Sequence, residues 1–152
     1  MEEDFTEDFI IKADNGHFRL SIQEVFGFPD TTSGFGGYDT KSRIEIISSN
    51  YSAVGHLYIT TGEVYDFYMQ LNNSYQTLRG GAILTNYKGN LDVNISQDGA
   101  GHFYLNGTFK EKQLEENELK FELNTDQTYM SQAIQNLKKI ADKYGDNKGK
   151  GE

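Results

Sequence analysis

The chain contains no cysteine and no tryptophan, one proline, and only 14 lysines and arginines against 23 aspartates and glutamates. Without cysteine there is no disulfide, no thiolate zinc site and no cysteine nucleophile, and the redox compartment stays open. No apolar run approaches the roughly 20 residues that span a bilayer, and the opening MEEDFTEDFIIK is acidic where a secretory signal would be basic. The expectation is a cytoplasmic protein with no membrane partner. A formal net charge of -9 repels phosphate backbones, and no stripe of Lys and Arg interleaved with aromatics offsets it. Direct binding of nucleic acid is therefore not expected, whereas a basic protein surface would be met quickly.

Reacting groups are equally scarce. The three histidines, His17, His56 and His102, fall on three different predicted strands with no i, i+4 helical pair, so the pattern points to no metal site. Walker loops, nucleophile elbows and zinc-protease helices do not occur. Glu2, Glu3, Asp4, Glu7 and Asp8 form one solvated acidic run, and Glu111, Glu115, Glu116 and Glu118 form another around a turn. No catalytic residue, metal or cofactor is assigned, and the chain is not expected to be an enzyme.

What is present is a clear alternation of period two. Leu91, Val93 and Ile95 oppose Asp92, Asn94 and Ser96; Phe103, Leu105 and Phe109 oppose His102, Tyr104, Asn106 and Thr108; Leu119, Phe121 and Leu123 oppose Glu118, Lys120 and Glu122. Three such strands in sequence predict an antiparallel meander. Between the first two, Asp98-Gly99-Ala100-Gly101-His102 is turn chemistry and not a phosphate cradle, because no helix N-terminus follows the glycines. Earlier strands are read in DFIIKA, HFRLSIQEVF, SRIEIIS and GHLYIT.

Two helices interrupt the strands. In TTGEVYDFYMQL, Thr60 and Glu63 stand as a capping box, with Val64, Phe67, Tyr68 and Leu71 at helical spacing. In the second, Asn124 or Thr125 can cap the start, Met130, Ala133, Ile134, Leu137, Ile140, Ala141 and Tyr144 form the apolar stripe, and Gly145 can end it. The expected fold is α+β, an antiparallel sheet of about seven strands as a meander or half-barrel, with one helix inserted mid-chain and one C-terminal helix packed on the sheet. The expected organisation is an acidic segment at 1–8, one α+β domain at 9–144 and a disordered polar tail at 145–152.

Between the second and third strands, GFPDTTSGFGGYDTK carries the only proline, four glycines and three aromatics. Loops of this length in a compact domain are uncommon and often functional. Phe35 and Tyr38 are candidate anchors for a protein partner, unless they fold back to plug the end of the sheet.

Two stretches resemble a known family. FRLSIQEVFGFPDTTSGFGGYDTKSRIEI, with its Phe28-Pro29 bend and Tyr38-Asp39 pair, is similar to the opening of the WapI-type immunity proteins of bacterial polymorphic toxin systems. YKGNLDVNISQDGAGHFYLNGTF, with Gly101-His102 opening a strand, resembles their second half, so the likeness spans roughly residues 9 to 143. The chain departs from the pattern in lacking a tryptophan after the Tyr-Asp pair. The resemblance implies a non-enzymatic protein that binds a cognate toxin and blocks it, and it brings no catalytic residues.

The leading hypothesis is thus an immunity-type protein that binds and neutralises a cognate toxin protein through an acidic and aromatic surface. A basic nuclease domain would suit such an inhibitor. The partner-binding candidates are Asp30, Phe35, Tyr38 and Asp39 from the loop, with Tyr104, Glu116 and Glu118 beside the meander. The alternative is a β half-barrel that holds a small ligand among its ten tyrosines and ten phenylalanines. A third reading, an enzyme with a hidden carboxylate pair or a site centred on His102, lacks a partner group at any fixed spacing. Monomer and homodimer both remain open, since an edge strand such as DFIIKA could pair with a second copy.

Overall fold

The computed structural model describes residues 7–151. In chain order it comprises β1 (Glu7–Ala13), β2 (Gly16–Phe26), β3 (Asp39–Ser48), β4 (Tyr51–Thr60), α1 (Thr61–Thr77), β5 (Ala82–Thr85), β6 (Leu91–Gln97), β7 (His102–Phe109), β8 (Leu119–Asp126) and α2 (Gln127–Tyr144). The fold is α+β as its patterning predicts, with one helix mid-chain and one at the C-terminal side. The strands divide into two four-stranded antiparallel meanders, β1-β2-β3-β4 and β5-β6-β7-β8, and not into one continuous sheet. The division falls at α1, which breaks the hydrogen-bonded run between β4 and β5. The eighth strand is β5, whose four residues Ala82–Thr85 are too short to announce a period.

Alternation fixes which face of each strand is buried. Phe9, Ile11, Phe18, Leu20, Ile22, Ile44, Ile46 and Ile59 from the first sheet meet Leu84, Val93, Phe103, Leu105, Phe121 and Leu123 from the second in one apolar cluster. Phe18 and Phe121 stack across it at 6.3 Å between ring centres. Phe67 and Leu71 of α1, with Met130, Ala133, Leu137 and Ile140 of α2, complete the cluster. Each fully buried side chain of this size contributes roughly 1.5–3 kcal/mol.

Capping decides where the helices begin. Thr60 caps α1, its hydroxyl accepting from the Glu63 amide at 3.0 Å while the Glu63 carboxylate accepts from the Thr60 amide at 2.9 Å. For α2 the cap is Asp126, not Asn124 or Thr125, and its carboxylate accepts from the Tyr129 amide at 3.1 Å. The reason is pairing: β8 continues to Asp126, opposite His102, so Asn124 and Thr125 are still in the sheet. Gly145 ends α2 as expected, its amide donating to the Ala141 carbonyl.

Polar contacts also join the sheets. Buried Asn86 accepts from the amides of Asn90 and Leu91 and donates to the carbonyl of Tyr58 and to Oδ1 of Asn90, while Asn90 donates to the carbonyls of Lys110 and Glu111. Every side-chain polar atom of the pair is satisfied, which is the condition for burying an amide without penalty. At the far side β1, an edge strand, is covered: the Ile10 amide donates to Oδ1 of Asn136 on α2, and the Thr125 hydroxyl donates to the Lys12 carbonyl. That cover removes part of the strand's capacity to pair with another chain.

Candidate functional site

The long loop between β2 and β3 docks on the N-terminus of α1. The Thr61 amide donates to the Tyr38 carbonyl at 2.9 Å, the Tyr38 amide donates to the Thr61 hydroxyl at 2.9 Å, and the Gly62 amide donates to the Gly36 carbonyl at 3.2 Å. This approach depends on glycine at position 62, because a Cβ there would collide with the Gly36 backbone. The loop also closes on itself, with the amides of Asp30 and Thr31 both donating to the Gly27 carbonyl and the Phe35 amide to the Ser33 hydroxyl. A segment rich in glycine is thereby held in one shape.

That shape sorts the aromatics. Tyr38 is turned inward and is only 8% exposed, its hydroxyl donating to the Pro29 carbonyl and its ring meeting Phe28 edge-on at 5.0 Å. It plugs the end of the first sheet and is not on the surface where an anchor would have to be. Phe35 is turned outward, 53% exposed, and stacks face to face on Tyr87 at 4.4 Å.

Behind the Phe35–Tyr87 pair lies an open cleft of about 570 Å³. Glu63, Asp66 and Gln70 line it from α1, Ile83 and Thr85 from β5, and Lys150 lies at its mouth. Burial pushes the Glu63 carboxyl up to about 7; its two hydrogen bonds with Thr60 act the other way, and the nearby charges of Asp39 and Asp66 add to the rise. The Tyr87 hydroxyl is also raised, first by burial and then by Asp39 and Glu63. The cleft thus sets two carboxylates, Glu63 and Asp66, with the charge of Asp39 close to Glu63, beside an aromatic pair whose outer ring, Phe35, is exposed. Chemically it is suited to a cation carried on a flat or aliphatic stem, with the carboxylates neutralising the charge and the rings covering the stem.

The remaining candidates are dispersed. Asp30 is exposed on the loop and Asp39, at the start of β3, is half-buried close to Glu63. Tyr104 is 41% exposed on the outer face of β7. Glu116 and Glu118 are exposed in the connection before β8. The structure therefore brings Phe35 to the cleft, sets Asp39 close to its Glu63 wall, and leaves Asp30, Tyr104, Glu116 and Glu118 outside its lining. A slightly larger groove of about 610 Å³ lies at the second sheet, lined by Tyr51, Asp92, Asn94, Asn106, Lys120 and Glu122. No stacked aromatic pair among the described residues frames it, so the smaller cleft, with Phe35 on Tyr87, is the stronger candidate.

Sequence reasoning missed Asp66, Tyr87 and Ile83, and read Glu63 only as a cap. Glu63 and Asp66 are three apart in the first turns of α1, a spacing that puts both on one face. Nothing in the sequence marks Tyr87, because the strand before it is too short to be read. His102 behaves as turn chemistry predicts: Nδ1 pairs with Asp98 at 2.8 Å, and the same carboxylate accepts from the Ala100 and His102 amides. Among the described residues, no three His, Cys, Asp or Glu side chains converge as metal ligands. No helix of the described residues is long and apolar enough to cross a membrane.

Residues 9–145 match the model of a family described as the immunity protein WapI-like family. No curated protein matches the chain.

Proposed function

The chain belongs to the WapI-like immunity protein family, and from that membership we propose that it binds a cognate toxin protein and neutralises it, engaging the toxin with the cleft beside Phe35. The observation that carries this reading is the junction of exposed Phe35, stacked on half-buried Tyr87, with the carboxylates of Glu63 and Asp66. A stacked pair of this kind is worth roughly 0.5–1.5 kcal/mol, so it holds Phe35 outward before any partner arrives and lowers the ordering cost of binding. The net charge of -9 raises the encounter rate with a basic toxin surface, while the desolvated aromatic anchor lengthens the complex's lifetime. In this reading Asp39 supports the same face through its charge beside Glu63, and Asp30, Tyr104, Glu116 and Glu118 make secondary contacts. Neutralisation in this reading is steric and needs no reacting group.

The test is co-expression with the toxin-like product of the adjacent reading frame. Growth should be restored, the two proteins should elute together from a sizing column, and the double variant Phe35→Ala, Asp66→Asn should lose both effects while keeping its fold. A toxic neighbour that this chain neither silences nor binds refutes the proposal.

A further inference from the structure

The segment after α2 contains no apolar side chain, GDNKGKG, and on composition alone it should be unstructured. The structure instead lays it against the loop and the mouth of the cleft. The Gly37 amide donates to the Lys148 carbonyl at 2.8 Å, and the Gly151 amide donates to the Gly34 carbonyl at 3.0 Å. Gly149 is buried against Thr32 and Ser33 with φ of +92°, a position where any Cβ would collide. Both oxygens of Asp66 are taken: Oδ1 accepts from the Asn147 side-chain amide at 2.9 Å and Oδ2 from the Lys150 ammonium at 3.2 Å.

We infer that residues 146–151 are a displaceable strap, in which Lys150 occupies Asp66 until a basic side chain of the partner takes its place. The inference rests on the proposed role of the cleft and adds what enters it and what must leave. Displacement is easy for physical reasons. The segment carries no apolar side chain to bury, Lys150 is 60% exposed, and an exposed ion pair contributes little. A segment with few buried contacts opens locally at low cost. The chain's own ammonium on Asp66 shows the chemistry the cleft accepts, a primary or guanidinium cation, while Phe35 and Ile83 are left free to cover its stem. A partner must therefore present a Lys or Arg from a convex part of its surface. Its apparent affinity is reduced by the fraction of chains in which the strap is closed.

The experiment titrates the full chain with N-acetyl-arginine methylamide and follows backbone and side-chain amides by NMR. The amides of Gly34 and Gly37 and the side-chain amide of Asn147 should shift together. Lys150→Ala should show the same shifts at about two- to five-fold lower probe concentration. Asp66→Asn should remove them. An unchanged midpoint in Lys150→Ala, or probe-induced shifts confined to other parts of the chain, overturns the strap. Because no toxin enters this experiment, failure to rescue growth refutes the immunity reading separately and leaves the strap to stand or fall on the titration.

Discussion

Glu63→Gln isolates a strongly perturbed carboxyl. Glu63 titrates near 7 in the folded chain against an ordinary value of 4.5, with burial the leading cause. Between those two values the folded chain holds a proton that the unfolded chain has lost, so this group's contribution to stability falls as pH rises through the window and is level above it. Each unit corresponds to about 1.4 kcal/mol, which sets a ceiling of ~3 kcal/mol, and the open side of the cleft brings the expected cost nearer to ~1–2 kcal/mol. Glutamine keeps the oxygen that accepts from the Thr60 amide and has no charge to bury. Urea denaturation at about pH 5 should therefore find wild type and Glu63→Gln nearly equal, while at about pH 8 the variant should be more stable by ~1–2 kcal/mol. The comparison cancels the repulsion that the net charge of -9 adds at high pH. A stability difference that does not change with pH would refute the buried-carboxyl argument.

Phe35→Ala should weaken toxin neutralisation with a stability loss of about 1 kcal/mol, whereas Tyr38→Ala should cost ~3–5 kcal/mol in thermal unfolding because its ring fills the end of the sheet. Asn86→Ala should destabilise by about 2–4 kcal/mol, since it leaves the Asn90 and Leu91 amides and the Tyr58 carbonyl buried without partners. Growth rescue by His102→Ala should equal that of wild type; loss of rescue in a folded variant would show that the Asp98–His102 pair does more than shape a turn.

The cleft forms because three unrelated elements meet at one helix end. Thr60 and Glu63 cap α1, Gly36 and Gly62 allow the loop to lie across that end, and the turn after β5 raises Tyr87 to receive Phe35. The capping glutamate is thus also a wall of the cleft, and the same burial that makes a good cap raises its pKa. A change at either task disturbs the other, which is why glutamine, able to do the first without the charge of the second, is the informative substitution.

Local chemistry wrote much of this molecule into the sequence. Alternating side chains fixed β6, β7 and β8 and their buried faces, the Thr60–Glu63 box fixed the start of α1, and the stripe from Met130 to Tyr144 fixed α2. These are periodic or nearest-neighbour effects, legible without knowing what lies opposite. Tertiary structure alone decided that the strands split into two sheets, that Tyr38 turns in while Phe35 turns out, and that the polar segment after α2 settles on Asp66. Each of those outcomes depends on a partner outside the local pattern: Tyr87 for Phe35 and Asp66 for Lys150, dozens of residues away, and Pro29 and Phe28 for Tyr38 across the loop. A sequence states which groups a residue carries, and only the folded chain determines which of them come within reach of one another.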